Sequence, residues 1–321
     1  MNTDLRIYRT LPRYDSRRPS AVTIGNFDGV HLGHQAILKR LRDVSARREL
    51  ASTVMTFTPH PRAYFARLGN RPEMVPTQVS TLRDKLHTLA QHQIQQIVLV
   101  RFNRELASMA ADAFIRDLLV KGLDTRWLLV GDDFRYGHKR SGDIDLLRRA
   151  GRHYGFDVET ISDVVDSGGQ RISSSELRTA LAVGEQDRVR HLLGHNYRIS
   201  GHVVHGQKVG RSIGFPTLNI RVPPHCAARS GVYVVRVHGL AASPLNGVAS
   251  LGVRPTVQDS GQLLLEVHIP NAHVDAYGKL ACVEFLAFLR DEAKFPDLPT
   301  MITAIEHDVR CANDYFAIHG L

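Results

Sequence analysis

Apolar and polar positions along the first half of the chain follow two alternating periods. Five short runs rich in β-branched residues read as strands: AVTIG (21–25), STVMTF (52–57), QIVLVRF (96–102), RWLLVG (126–131) and DVETI (157–161). Between them apolar positions recur at helical spacing. After Gly33 they fall at Ile37, Leu38, Leu41 and Val44. A second stripe runs through Ala107, Ala110, Ala111, Phe114, Ile115, Leu118 and Leu119, with Gly122 as the expected stop. Strand–helix alternation predicts a parallel sheet with helices on both faces, which binds ligands at the carboxyl ends of its strands. Two helical pieces close this half. In RISSSELRTALAVG, Ser173 and Glu176 have capping-box spacing and Gly184 is a stop; EQDRVRHLLG follows and ends at Gly194.

Beyond residue 195 the pattern becomes short strands separated by turns: YRISGHVV, TLNIRV, GVYVVRV, GVASLG, LLLEVHI and ACVEFLAFL. Without crossover helices between them, an antiparallel barrel or sandwich is expected. A terminal helix follows Pro299, with Ile302, Ile305 and Val309 on one face. The junction lies near 186–198, which gives an expected first domain of 1–186 and a second of 187–321.

Composition narrows the class. The 321 residues are 43% hydrophobic, ample for two cores, and no apolar run approaches the roughly 18 residues of a membrane span. The start, MNTDLRIYRT, lacks the apolar middle of a secretory signal. Cys226, Cys282 and Cys311 show neither metal-ligand nor redox spacing, which fits a reducing compartment, and a cytoplasmic location is expected. The net charge of +9 raises the question of nucleic acid, but the basic residues are dispersed in pieces such as SARREL and LLRRAGRHYG. The expectation is a solvated basic surface that attracts polyphosphates, with neither a nucleic-acid nor a membrane partner; the sequence assigns no oligomeric state.

Two glycine-rich turns carry the candidate chemistry. In GNFDGVHLGH (25–34) a strand passes directly into a helix. Unpaired amides and the positive end of the helix dipole favour an anion there, and the glycines let backbone approach phosphate. His31 and His34, three apart, can share a face and donate to a phosphoryl oxygen as charge develops on it; alternatively His34 caps or leaves to solvent. The second turn, GHVVHGQKVGRSIGFPTLNI (201–220), reads either as a hairpin with glycine turns or as a second phosphate loop. In the strand that follows, Thr217 and Asn219 face one side and Leu218 the other. A hydroxyl and an amide oxygen side by side suit Mg²⁺.

The GNFDGVHLGH, TFTPHP (56–61), GDDFRYG (131–137) and ISSSELR (172–178) segments together resemble the bacterial bifunctional riboflavin kinase/FAD synthetase family, and PTLN (216–219) resembles its riboflavin kinase signature. The resemblance spans roughly 20–315. It implies a nucleotidyltransferase Rossmann-like parallel sheet followed by an antiparallel β-barrel riboflavin kinase domain with a terminal helix. Riboflavin would be phosphorylated to FMN with ATP, and FMN adenylylated to FAD with release of pyrophosphate, both with Mg²⁺.

Residue by residue, the resemblance implies that His31 and His34, with Arg178, act on the transferring phosphoryl. Gly25, Asn26, Phe27, Asp28, Gly29, Ser173 and Ser174 would line one ATP site, and Gly206, Lys208 and Gly210 the other. Thr217 and Asn219 would hold the metal, Arg254 and Arg290 would lie by the flavin, and Glu266 would accept the ribityl proton. FMN phosphate is already an oxyanion and needs no strong base, whereas the ribityl hydroxyl does. His60 either shapes its loop or touches flavin, and Asp132 and Asp133 are either turn formers or nucleotide contacts. Leu218, Ser250 and Pro270–Asn271 depart from the family pattern. Leu218 is expected to alter packing alone; the other departures bear on flavin affinity.

Overall fold

The computed structural model describes residues 5–206, 210, 213–253, 262–270 and 274–321. Six strands form one parallel sheet: β1 (Arg6–Tyr8), β2 (Ser20–Ile24), β3 (Ala51–Thr58), β4 (Gln96–Arg101), β5 (Thr125–Gly131) and β6 (Asp157–Ile161). Their order is β1-β4-β3-β2-β5-β6. The five runs read from the sequence are all present. β1 was not read, because three edge residues are too few to show a period.

Neighbouring residues on each central strand point to opposite faces, and the two cores follow from that alternation. Val22, Met55, Val98 and Leu128 enter one core with Phe114, Leu118 and Leu147. Ala21, Val54, Ile97 and Leu129 enter the other with Leu38, Leu41 and Leu89.

The helices are α1 (Leu32–Arg47), α2 (Pro61–Leu68), α3 (Leu82–Gln91), α4 (Arg104–Ser108), α5 (Ala111–Ala113) and α6 (Ile144–Tyr154). The single helix expected across Ala107–Leu119 is broken. Met109 and Ala110 are extended, and the stripe resumes in α5 and a π-helical stretch, Phe114–Val120. The break has a local cause. The Met109 carbonyl accepts from the His138 amide at 2.7 Å, and the turn at Gly137 packs so close to Ala111 that a β-carbon at 137 would lie 2.8 Å from the Ala111 Cα.

From β2 the chain runs through α1 to β3 on one side, whereas from β5 it runs through α6 to β6 on the other. The topological switch point therefore lies between β2 and β5, and the crevice opens at their carboxyl ends.

The remaining elements are helices α7 (Ser174–Val183) and α8 (Gln186–Leu193), then strands β7 (Tyr197–Val204), β8 (Thr217–Arg221), β9 (Gly231–His238), β10 (Leu245–Val253), β11 (Leu263–His268) and β12 (Leu280–Arg290). The strands close an antiparallel barrel in the order β10-β11-β8-β7-β12-β9, so this sheet has no free edge. Ile199, Ile220, Tyr233, Leu251, Leu265, Val283 and Phe285 are buried at its inward positions.

A terminal helix, α9 (Leu298–His319), packs Ala312 and Phe316 on the outward Val232, Val234 and Val248. Asp297 caps it, accepting from the Thr300 amide at 2.8 Å, and Gly320 ends it in the left-handed region. Arg290 anchors it with a two-pronged pair to the buried Asp308, at 2.8 and 2.6 Å.

The chain divides into two compact units, Met1–Pro76 with Lys85–Ser173, and Thr77–Asp84 with Ser174–Leu321. The junction expected after residue 186 falls at the first turn of α8, inside the second unit.

Candidate functional site

At the end of β2 the chain makes a turn whose shape the sequence enforces. Phe27, Gly29 and Val30 all have positive φ, at 49°, 85° and 43°. Glycine accepts this freely, while a β-branched valine is rarely found there. Phe27, Asp28, Val30 and His31 are buried, so the turn is folded inward against the sheet.

His31 caps α1: its Nδ1 accepts from the His34 amide at 3.4 Å. An accepting ring nitrogen carries no proton, so in the neutral imidazole the donor is Nε2. The His31 and His34 rings stack with centroids 3.7 Å apart, and the Phe27 ring closes on His34 at 4.9 Å. The first turn of α1 has no acidic residue to compete for its positive end. Gly33 is needed for close approach, since a β-carbon there would lie 3.1 Å from the His31 ring and 3.2 Å from the Ile172 carbonyl. The segment leading into Ser173 thus borders the histidine turn. Asn26 adds a buried side-chain oxygen that has no hydrogen-bond partner among the described residues.

Other expected residues of the first unit have structural partners. His60 caps α2, its Nδ1 accepting from the Arg62 amide at 3.1 Å, as its loop-shaping reading requires. Asp132 accepts from the Ser162 hydroxyl at 2.8 Å, and Asp133 lies 3.7 Å from Arg171. The GDDFRYG turn also borders a 340 Å³ cavity lined by Asp132, Phe134, Arg135, Asp143, Arg148 and Thr160. Ser174 and Arg178 belong to the second unit, where the Arg178 guanidinium donates to the Thr77 carbonyl at 2.7 Å and Glu176 accepts from Arg188 at 3.2 Å.

On the outer face of the barrel, strand register assembles a second group. Asn219 on β8 stands opposite Glu266 on β11, which stands opposite Ser250 on β10. Side chains so paired have β-carbons about 5 Å apart. Thr217 shares this face, while Leu218 pairs with Val267 toward the inside. Asn219 is 4% exposed, and its side-chain oxygen has no hydrogen-bond partner among the described residues. Gly206 leaves room for that amide: a β-carbon at 206 would sit 2.5 Å from Asn219 Nδ2 and 2.8 Å from Oδ1. Gly210 packs on the Phe215 carbonyl, with the Thr217 hydroxyl 3.7 Å from where its β-carbon would be.

Glu292 was not singled out by sequence reasoning. Its carboxylate occupies the space a β-carbon at Gly252 would fill. Burial, and then the Glu266 carboxylate, push its pKa up. The only sequence signal was an acid in LRDEAKF, uninterpretable without knowing that Gly252 faces it. Arg290 is committed to Asp308, and Lys208 and Arg254 lie outside the described residues.

Comparison with known proteins finds two family models along the chain. Residues 14–176 match the FAD synthetase family model and residues 193–316 the riboflavin kinase model. The bifunctional riboflavin kinase/FMN adenylyltransferase of Escherichia coli (strain K12) is 43% identical over 297 residues, covering 92% of this chain and 93% of that protein. That of Haemophilus influenzae is 41% identical, covering 92% and 94%. The solved structure titled a macrolide-efflux protein, from Streptococcus pneumoniae, is 25% identical with a TM-score of 0.78, covering 97% of this chain and 99% of that one. Among the described residues here, no helix is long and apolar enough to cross a membrane.

Proposed function

The chain belongs to the bifunctional riboflavin kinase/FMN adenylyltransferase family, and on that basis we propose how its residues divide the work. It is an enzyme with two activities: it phosphorylates riboflavin to FMN with ATP, and it adenylylates FMN with ATP to give FAD and pyrophosphate.

The first unit carries adenylyl transfer. The reading rests on the stacked histidines at the start of α1, below a crevice at the sheet's switch point. The FMN phosphate is an oxyanion at neutral pH, so the protein supplies position and charge stabilisation in place of a base. His31 Nε2–H and His34 donate to the α-phosphoryl oxygens as the bond to pyrophosphate breaks. Gly25, Asn26, Phe27, Asp28 and Gly29 shape the nucleotide pocket, with Ser173 assigned to the phosphates.

Riboflavin phosphorylation belongs to the barrel. Its strongest support is the buried oxygen of Asn219, unpartnered among the described residues, in one row with Glu266. Mg²⁺ fits this donor set, since a hydroxyl and an amide oxygen are hard ligands and a buried acceptor without a donor is costly unless a ligand satisfies it. Thr217 and Asn219 would hold it, and when bound it would neutralise phosphate charge. Glu266 takes the proton from the ribityl hydroxyl as that oxygen attacks the γ-phosphoryl. Gly206 and Gly210 are assigned to the phosphate loop. Arg290 is assigned to the flavin side. The proposed location is the cytoplasm, and no nucleic-acid partner is needed.

Incubating the purified protein with riboflavin and MgATP and resolving the flavins by chromatography tests the reading. FMN appears first and FAD follows; a folded protein that yields neither contradicts it.

A further inference from the structure

The turn that presents His31 and His34 is held from beneath by a lysine that neither the motifs nor the reaction as described above accounts for. Lys85, on α3, directs its ammonium at the Asn26 carbonyl, 3.1 Å away, and lies 3.5 Å from the Thr56 hydroxyl. Thr56, buried on β3, donates to the same carbonyl at 3.1 Å. Asn26 is the last residue before the three positive-φ positions, so two donors fix the carbonyl on which the strained part of the turn pivots. Residues held in such conformations persist only where their surroundings over-determine them.

Other bonds complete the frame. The Gly25 amide donates to Met55 at 3.1 Å, and the Gln35 side chain donates to the Val30 carbonyl at 3.0 Å.

A partly buried ammonium is a costly way to satisfy a carbonyl, since a neutral donor would bond it equally well. Here burial pushes the Lys85 pKa down, and the buried Asp28, within the same turn, pulls it back up. Asp28 is the charged group shown to act on it among the described residues. The arrangement places a positive charge against the turn that carries His31 and His34.

We propose that Lys85 is a positioning residue for FMN adenylylation: through the Asn26 carbonyl and Asp28 it fixes the turn that aims the two histidines at the transferring phosphoryl group. This rests on the assignment of adenylyl transfer to the first unit. Lys85 touches no reacting atom; its effect passes through the turn. Loss of the ammonium lets the turn relax, and histidines displaced by a fraction of an ångström serve the transition state worse than they serve bound ATP.

The test uses the full chain and Lys85→Met, whose side chain keeps the length and loses the charge, with riboflavin phosphorylation by the same molecules as the control for folding. The variant is expected to lose about 10- to 100-fold in kcat for FMN adenylylation, with KM for ATP little changed and riboflavin phosphorylation at the wild-type rate. A pH profile adds a readout that a packing role would not move. The wild-type adenylylation rate falls on the alkaline side as Lys85 deprotonates, below the usual lysine range, and the variant lacks that limb. Wild-type kcat in Lys85→Met, parallel loss of both activities, or an unchanged alkaline limb each overturns the proposal. A wild-type chain that makes FMN but no FAD instead contradicts the assignment of the first unit, and this inference with it.

Discussion

Gly206→Ala is the smallest change that tests the barrel site. A β-carbon at 206 would lie 2.5 Å from the Asn219 side-chain nitrogen and 2.8 Å from its oxygen. Contact at van der Waals distance requires the amide to retreat by about 1 Å. Asn219 has little freedom to do so without moving its backbone: it is 4% exposed, and β8 is paired with β7 and β11 on either side. An amide oxygen displaced by about 1 Å no longer meets a metal–phosphate complex, and misplacement of this size costs about 100-fold in rate, or about 2.7 kcal/mol of barrier. Riboflavin phosphorylation in Gly206→Ala is therefore expected to fall about 100-fold, while added FMN is still converted to FAD. Both rates come from one chromatographic assay supplied with riboflavin or with FMN. Wild-type phosphorylation by the variant would refute the cradle, and equal loss of both activities would show that the alanine acts on folding.

The remaining predictions separate the sites and probe their supports. Replacing both His31 and His34 by alanine is expected to cut adenylylation by about 100-fold or more, so that FMN accumulates from riboflavin; losing the His31 cap costs about 1 kcal/mol of stability besides. Asn219→Ala or Glu266→Ala does the reverse, stopping phosphorylation while FMN still becomes FAD, and a variant of either pair that impairs both steps alike counts against separate sites. Asp308→Asn breaks the paired anchor of α9 and is expected to cost about 3 kcal/mol, read as a lower denaturant midpoint. Glu284→Gln tests a pH effect. Burial raises the Glu284 pKa, but donors from Arg198, His238 and Asn196 outweigh it and hold the carboxyl below its ordinary range. A depressed folded pKa gives stability that is present above the unfolded value and lost as pH falls through the folded one. The variant should thus melt about 5 °C or more lower near neutrality, with the gap closing in acid; a gap independent of pH refutes the coupling.

The central strands of both halves were legible because burial on a pleated surface leaves a period in the sequence. Val22, Met55 and Leu128 announce one face, and Ala21, Val54 and Leu129 the other. What was not legible depended on contacts distant in sequence. Nothing local in Met109–Ala110 predicts an extended break; the cause is the turn at Gly137 and the His138 amide. The histidine pair stood out because strand, glycines and helix are consecutive. Lys85 and Glu292 did not, because their roles come from a carbonyl 59 residues away and from Gly252 on another strand. The Arg290–Asp308 pair was likewise illegible, because it joins a strand end to a helix 18 residues on.

Nucleotide stoichiometry tests the central claim most directly. Isothermal titration of the full chain with a non-hydrolysable ATP analogue and Mg²⁺ is predicted to find two sites, of which the His31→Ala/His34→Ala double variant keeps the barrel site and Asn219→Ala the site on the parallel sheet. A single site in the wild-type chain, or loss of both sites in either folded variant, would contradict the account.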